Sequence, residues 1–506
     1  MDEILFANVS LGEISPTTYI AKKFGGITFF VLYYIGALKS WIYIPIFKLF
    51  GFNYYSIRFP MILLTLVSIT LFFKSFRLAF KLKHFAWLAL SCIVFEVTLI
   101  GMIRTDVAPM AFEYFFKALS IYLLFKYLKE EKKLYLFLIP IPLLLGIFNK
   151  FNFIWYSNAF IFSAFLLAFF NKKLKSKRHL YTTLTVSLGL VFGMLFLIRY
   201  LNPGMLGSKI LKDPKQLIEK TKMFYSFWKS IFDGNGFYEL QYLKTYFITD
   251  QSDFRYYIDS VFSYFFELSF VLFLLGMFVV FKAFLQKKAE SKHIYYLFFL
   301  GLIVIQSLQV LIVSNATNIW HFYMIFPFYS ICVLLGIYFL TEKKYQSLRF
   351  LYVGLFVIYN LYGYSKYVDA FINKKPTNLW TNKIEDLATY VKPIKGEFIE
   401  LEWGMDSQLV CLTKQNKFRL GFQMPDGYYI TDLENPSKLF YDRFIKDKNL
   451  NELYFIGVES VGKNPKMIAL LKQLETERNF KKKVIKEILE DDGTVIFSIF
   501  QFVPTN

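Results

Sequence analysis

The chain has 506 residues, of which 56% are hydrophobic and 62 are phenylalanine. Soluble globular proteins contain about 45–50% apolar residues, and ordinary cores could not bury this much apolar surface. Many apolar residues lie in runs near the length that crosses a bilayer. Composition therefore excludes a soluble enzyme, a disordered scaffold and a secreted disulfide module, and it predicts a polytopic α-helical membrane protein.

The charge balance is basic, with 58 Lys and Arg against 38 Asp and Glu, a net charge of +20. These basic residues lie between apolar runs and form no patch of their own, so we expect no nucleic-acid partner. The chain has three cysteines and four histidines, and no Cys-x-x-Cys motif. This usage supports neither a disulfide framework nor a zinc site.

Residues 1–57 form the first predicted segment. Its stretch 17–50 is aromatic and apolar but is interrupted by Gly25-Gly26, Gly36, Lys39 and Pro45. This pattern predicts two short helices lying in the membrane interface. The alternative is a further transmembrane helix, which would place the N-terminus on the other side of the membrane.

About ten membrane spans follow between residues 58 and 366. The fourth is short and contains Pro140 and Pro142, so its freed carbonyls need neighbouring helices. The predicted spans are 58–80, 84–102, 107–127, 133–148, 152–171, 180–200, 260–282, 293–314, 320–340 and 348–366.

The short loops between the spans differ sharply in charge. One set holds twenty lysines and arginines, whereas the alternate set holds only Arg104 and Lys150. Because cytoplasmic loops are enriched in Lys and Arg, the first set is expected inside the cell. The long loop 201–259 and the tail 367–506 are then expected outside, together with residues 1–57.

An external N-terminal segment raises a question, because no signal peptide precedes it. We expect that an upstream first transmembrane helix is missing from this sequence. The alternative is that span 58–80 exports its own N-terminus.

The tail from about residue 380 changes character, since charges become frequent and apolar runs shorten. Strands are predicted over Glu397–Trp403, Glu452–Gly457, Val484–Leu489 and Thr494–Phe502, with a turn at Asp491-Asp492-Gly493. A helix is predicted over Asn464–Glu477. The tail is therefore expected to be a small extracytoplasmic α/β domain.

Charged and polar residues near the outer ends of spans are the candidates for chemistry. Under the predicted topology they share one side of the membrane, and they are Asp2, Glu3, Arg58, Arg104, Asp106, Lys150, His321 and Tyr323. Such a set suits transfer from a phosphate-linked lipid. Cations stabilise a leaving phosphate, and one carboxylate can act as general base. A glycosidase, in contrast, needs two working carboxylates.

Each of these residues also has a structural interpretation. A cation at a span end commonly anchors the helix at the interface, and acids near a terminus are normally solvated. Deeper in the membrane, Glu113 and Lys117 lie four residues apart and predict an ion pair within one helix. Glu96 has no basic neighbour at helical spacing, so it is expected to be protonated or to face a watery cavity.

The order of these motifs resembles the GT-C superfamily of membrane glycosyltransferases. The motifs are an early Asp-Glu pair, Arg58-x-Pro60 entering a span, Asp106 in an outer turn, Lys150 in the next outer turn, and His321-x-Tyr323 starting a late span. The resemblance is strongest to protein O-mannosyltransferases and lipid A aminoarabinose transferases, and it covers residues 1–366. The sequence departs from the family where a Pro-Pro-Leu stretch is absent after the first outer segment.

The resemblance implies a bacterial inner-membrane enzyme that takes a sugar from a polyprenyl phosphate and transfers it, with inversion, to a lipid, glycan or protein acceptor outside the cell. It implies Asp2 as general base, Glu3 as its neighbour and Asp106 as a second acid. Lys150, Arg58 and Arg104 would bind the donor phosphate, and His321 and Tyr323 would line the donor pocket. Some members bind a divalent metal, for which Glu3 and Asp106 are the candidate ligands; no other cofactor is implied.

Three other functions stay open from the residues alone: a transporter or flippase for lipid-linked sugar, a surface polysaccharide polymerase, and a noncatalytic receptor. A transporter is expected to show inverted-repeat halves with broken helices at matching positions, and no such repeat is evident. Replacing Asp2 or Asp106 by Asn separates an enzyme from a receptor, because only the enzyme would lose turnover.

Overall fold

The fold is described from a computed structural model. The structure describes residues 2–505 apart from 12–21, 33, 83, 98, 100–108, 173, 175–176, 202–213, 233–261, 263, 314–318, 342–344, 374–382, 402–404, 416, 422–429, 459–464 and 492. The chain divides into two compact units. One comprises residues 58–374, and the other combines residues 1–57 with 375–506.

The unit of residues 58–374 is built from helices. Five helices in the described part are long and apolar enough to cross a bilayer, which confirms the prediction of an integral membrane protein. These five are Tyr55–Ala79, Phe153–Phe170, Lys177–Leu201, Phe265–Leu285 and Ser291–Ile312. The total of ten spans stays a prediction.

Other helices of this unit are shorter or carry more charge. They are Phe85–Val94, Met110–Glu130, Lys133–Leu138, Pro140–Asn149, Pro214–Phe232, Phe328–Leu340 and Ser347–Asn373, together with a 3₁₀ helix over Ile319–Ile325. Three predicted spans are therefore interrupted. The helix expected over 84–102 ends at Val94, the one over 133–148 breaks before Pro140, and the one over 320–340 begins as 3₁₀ helix. Proline lacks the amide hydrogen that would continue a helix, which accounts for the break before Pro140.

The second unit begins with helix Asp2–Leu11 and a small antiparallel sheet of β1 (Lys22–Phe24), β2 (Ile27–Leu32) and β3 (Ile35–Gly36). Helix Leu38–Phe50 follows. The prediction of two helices over 17–50 is therefore wrong for its first half. Gly25 and Gly26 have positive φ angles of 56° and 81°. Glycine adopts this conformation without steric penalty, so the pair forms the turn between β1 and β2.

The tail of this unit is an α/β domain with a five-stranded sheet. Its strands are β4 (Glu397–Glu400), β5 (Phe418–Leu420), β6 (Leu453–Val458), β7 (Phe480–Leu489) and β8 (Val495–Pro504). The strand order is β5-β4-β6-β8-β7. Strand β4 runs parallel to β5 and β6, whereas β8 is antiparallel to β6 and β7. The four strand predictions and the helix near 464–477, observed as Pro465–Arg478, are confirmed.

Helices cover both faces of this sheet. Lys383–Val391 and Met405–Thr413 contribute to one buried cluster, and Pro436–Phe444 and Pro465–Arg478 contribute to the other. Neighbouring residues of a strand point to opposite faces, so Phe398 joins the first cluster and Ile399 the second. Helix Asp2–Leu11 also packs on this domain, through Met405–Thr413, and on helix Leu38–Phe50.

Candidate functional site

The unit of residues 58–374 contains a group of buried charged side chains. Glu113 and Lys117 lie on helix Met110–Glu130, and Lys150 follows helix Pro140–Asn149. These residues are 1%, 2% and 5% exposed. Burying a charge is unfavourable unless it is paired or hydrogen-bonded, so three charges in one place require a specific arrangement.

Lys150 reaches this position because of a tight turn between two helices. It caps the C-terminal end of helix Pro140–Asn149 in an extended conformation, where the helix dipole favours a cation. The next helix begins at Phe153, whose ring packs on Gly146. A Cβ atom on Gly146 would lie 2.2 Å from a carbon of that ring, so only glycine permits this approach.

The charged side chains satisfy one another and the surrounding backbone. Lys150 Nζ lies 3.7 Å from Glu113 Oε1 and 4.0 Å from Met110 Sδ. Lys117 Nζ donates to the carbonyl oxygens of Met324 at 3.0 Å and Tyr323 at 3.4 Å. The ion pair therefore joins helix Met110–Glu130 to the end of helix Pro140–Asn149. The hydrogen bonds of Lys117 join helix Met110–Glu130 to the segment that includes residues 323–326.

A small cavity opens beside these charges. Its lining residues are Thr65, Leu99, Met110, Ala111, Glu113, Tyr114, Lys117, Tyr323 and Phe326. The Tyr114 hydroxyl is buried and has no hydrogen-bond partner among the described residues. Among the described residues, two lysines with one carboxylate leave a formal charge of +1, and the neutral Tyr114 hydroxyl offers a hydrogen-bond donor. The chemistry of this cavity favours an anion, because cations and oriented donors stabilise negative charge in a water-poor site.

The other predicted residues of this unit are placed differently. Tyr323 is 1% exposed and lines the cavity, so the structure brings it together with Lys117. Arg58 and His321 are partly buried, and neither lines this cavity. The His321 ring packs edge-on against Trp155, with centroids 5.5 Å apart. Arg104 and Asp106 lie outside the described residues.

Asp2 and Glu3 open the first helix of the other unit, and their side chains lie outside the described set. One turn later, Phe6 and Ala7 are fully buried. Ser40 Oγ donates to the Phe6 carbonyl at 3.0 Å, and Lys39 Nζ lies 5.0 Å from the Phe6 ring centroid. This helix is therefore held firmly against Leu38–Phe50.

No group of three or more metal-ligating side chains occurs among the described residues. Glu3 and Asp106, the ligands suggested for a divalent metal, are not in that searched set, so the structure does not test this suggestion.

The importance of Glu113 and Lys117 was only partly evident from the sequence. The spacing of four residues predicts a pair within one helix, whereas the structure joins Glu113 to Lys150 of another helix and Lys117 to backbone carbonyls. Their presence in an apolar run was the available signal, because charges inside a membrane span mark functional sites. Tyr114 gave no such signal, since tyrosine is common in this chain.

Comparisons with known proteins give one sequence match. Residues 37–197 match the family "Dolichyl-phosphate-mannose-protein mannosyltransferase". No curated protein matches the sequence.

Solved structures match this chain at low sequence identity. The oligosaccharyltransferase AglB from Archaeoglobus fulgidus, in complex with an inhibitory peptide and a dolichol-phosphate, is 12% identical. The match covers 100% of this chain and 70% of that chain, with a TM-score of 0.49. ArnT from Cupriavidus metallidurans in the apo state is 10% identical, over 99% of this chain and 93% of that chain, with a TM-score of 0.45.

The family match includes Arg58 and Lys150, and it includes Glu113 and Lys117 of helix Met110–Glu130. It confirms, over that region, the resemblance drawn from the motifs: residues 37–197 are similar to the dolichyl-phosphate-mannose-protein mannosyltransferases, a family of the GT-C superfamily.

Proposed function

We propose that this protein is a membrane glycosyltransferase that moves a sugar from a polyprenyl-phosphate donor to an acceptor on the outer face of a bacterial inner membrane. The observation that carries the proposal is the cavity beside Glu113, Lys117 and Lys150, three charged residues that all lie within the region of the family match. Two buried lysines against one carboxylate suit the phosphate of such a donor. The acceptor is a lipid, a glycan or a protein.

The reaction requires that the negative charge of the leaving phosphate be stabilised. When the acceptor oxygen attacks the sugar, the bond between the anomeric carbon and the phosphate oxygen breaks, and the phosphate leaves as an anion. Lys117 and Lys150 stabilise that charge, and the Tyr114 hydroxyl can donate to it. No general acid is needed, and a single displacement inverts the anomeric centre.

The acceptor hydroxyl must lose its proton as it attacks. We assign this step to the Asp2 carboxylate as general base, following the resemblance, with Glu3 and Asp106 as further acids of the site. Arg58 and Arg104 are proposed as additional phosphate ligands, and His321 as a donor-pocket residue. These assignments rest on the motif order.

The test is a transfer assay in membranes that contain the protein, with a panel of polyprenyl-phosphate sugars as donors. We expect the wild type to consume one donor and Asp2→Asn to reduce that rate by about 10²–10⁴-fold, the usual contribution of a general base. Asp442→Asn changes an exposed acid and serves as the matched control.

Unchanged turnover in Asp2→Asn would remove its assignment as the base. Consumption of no donor by correctly inserted wild-type protein would contradict the function itself and favour the transport or receptor alternative.

A further inference from the structure

A second buried acid lies in the same unit. Glu96 is 2% exposed and comes two residues after the end of helix Phe85–Val94. The backbone N–H of the next residue, Val97, donates to the Asn360 side chain at 3.0 Å. Non-helical backbone at membrane depth is tolerated only where it is buried in protein or lines a cavity. The helix break therefore places the carboxyl group of Glu96 at a defined position inside the protein.

Glu96 lines a cavity of its own. The other lining residues are Trp228, Phe232, Ile325, Phe326, Tyr329 and Ser330. The Ser330 hydroxyl donates to Glu96 Oε2 over a long distance of 3.5 Å. The Tyr329 hydroxyl and the Trp228 indole N–H are both buried without a hydrogen-bond partner among the described residues. A buried donor without a partner is unfavourable, so these two groups point to a ligand that offers an acceptor.

Aromatic rings form the walls of this cavity. The Trp228 and Tyr329 rings lie 5.2 Å apart at 70°, and the Phe232 and Tyr329 rings lie 5.7 Å apart at 84°. Trp228 and Phe232 belong to helix Pro214–Phe232, part of the long loop that the sequence places outside. The loop therefore contributes two aromatic rings and the Trp228 N–H donor to this cavity, and the predicted span 84–102 contributes the Glu96 carboxyl group.

The cavity has room for about one water-sized group. Besides the Ser330 hydroxyl, which already bonds Glu96, its polar groups are a carboxyl that can accept and two donors that need an acceptor. A hydroxyl group matches this set, because it donates one hydrogen bond and accepts two. An ammonium ion matches it less well, because it has no lone pair for the two donors.

This cavity adjoins the cationic one. Phe326 lines both, and its ring stacks on Tyr114 with centroids 6.0 Å apart and planes 14° from parallel. Sugar and phosphate are directly bonded in the proposed donor. A phosphate beside Lys117 would therefore bring the hydroxyls of its sugar to the Phe326 side of the site.

We propose that the cavity of Glu96, Trp228 and Tyr329 binds one hydroxyl group of the donor sugar and so selects the sugar. The inference rests on the proposed function, since it assumes a donor whose phosphate binds beside Lys117 and Lys150. Selectivity by one hydroxyl can be strong, because a sugar that lacks it leaves buried polar groups unpaired.

The test measures binding, so it does not depend on turnover. The purified full-length protein in nanodiscs is titrated with undecaprenyl phosphate and with its mannose, glucose, galactose and N-acetylglucosamine esters. We expect at least one ester to bind at least tenfold more tightly than the sugar-free lipid. Glu96→Gln, Tyr329→Phe and Trp228→Phe should each reduce that advantage about tenfold and leave the affinity for undecaprenyl phosphate within twofold of wild type. Tyr264→Phe, at an exposed tyrosine of the same unit, is the matched control.

A deoxy series of the preferred ester then identifies the hydroxyl. One deoxy sugar should lose the binding advantage with wild type, and Tyr329→Phe should bind that deoxy sugar and its parent equally. If all esters bind wild type no better than undecaprenyl phosphate, or if the three variants keep the wild-type preference, the cavity holds water only and the inference is wrong. A different result would contradict the proposed function: Lys150→Met would bind undecaprenyl phosphate as tightly as wild type.

Discussion

At the scale of single residues, the buried charges of the cationic cavity depend on one another. Glu113 offsets Lys150, so the two lysines can lie near one cavity without a bound anion. Removing one partner of a buried ion pair leaves the other charge uncompensated, which typically destabilises a protein by 3–5 kcal/mol. The same change would raise the positive charge available to a phosphate.

Glu113→Gln is therefore expected to have opposite effects on stability and ligand binding. The free energy of unfolding should fall by about 3 kcal/mol, and undecaprenyl phosphate should stabilise the variant more than it stabilises wild type. Thermal unfolding in detergent, with and without this lipid, measures both effects. Glu219→Gln, at an exposed acid, is the control. A variant as stable as wild type would show that Glu113 does not compensate the lysines.

At the scale of elements, the site depends on how closely helix Pro140–Asn149 approaches helix Phe153–Phe170. Gly146 permits that approach, and Lys150 lies in the turn between the two helices. A methyl group at position 146 would force the Phe153 ring away and shift the turn. Overpacking of this kind commonly destabilises a protein by 1–3 kcal/mol.

Gly146→Ala should therefore weaken binding of undecaprenyl phosphate about tenfold and lower the apparent Tm. A second substitution, Phe153→Leu, removes the clashing ring and should restore much of the binding. Gly189→Ala is the control, because a Cβ atom there would meet no neighbour within 4 Å. Equal binding by Gly146→Ala and wild type would show that this turn does not position Lys150.

Helix Pro214–Phe232 of the long loop contains Lys220, a buried lysine whose protonation affects stability. Lys220 donates to the Val313 carbonyl oxygen, and burial lowers the pKa of Lys220 to about 8. An exposed lysine has a pKa near 10.4. Between these two values the unfolded chain binds more protons than the folded one, so the free energy of unfolding rises with pH across this window. Below the window both states hold this proton, so Lys220 contributes no pH dependence there.

The apparent Tm of wild type is thus expected to rise more between pH 7.5 and 9.5 than that of Lys220→Met. Lys222→Met, at an exposed lysine, should behave as wild type. Identical pH dependence in wild type and Lys220→Met would contradict the assignment of the shifted titration to Lys220.

At the scale of the whole molecule, the proposed chemistry requires one orientation in the membrane. The charge of the short loops predicts the inner side for the loop that includes Lys288 and the outer side for the domain that includes Lys438. Both lysines are exposed, whereas all three cysteines, Cys92, Cys332 and Cys411, are buried. The chain therefore offers a low background for cysteine labelling.

A membrane-impermeant maleimide should label Lys438→Cys in sealed spheroplasts and should label Lys288→Cys only after the membrane is opened. Wild type, with its buried cysteines, measures the background. The reverse pattern would place the α/β domain inside the cell and contradict the predicted orientation.

Much of the architecture could be predicted from the sequence, because hydropathy and loop charge act over short stretches of chain. The integral membrane class, the strands of the tail and the helix near residue 465 follow from such local patterns. The first half of 17–50 could not be predicted in this way, because an apolar stretch beside two glycines fits either an interfacial helix or a hairpin.

By itself, therefore, the sequence determined a membrane protein with charged residues in apolar segments and a resemblance to one superfamily of transferases. Only the tertiary structure decided which of those residues meet. It joined Glu113 to Lys150 across two helices, and it placed Glu96 beside Trp228 and Tyr329, which are more than a hundred residues away. The physical reason is that burial tendency belongs to each residue, whereas a binding site depends on how helices pack, and that packing is set by contacts between distant parts of the chain.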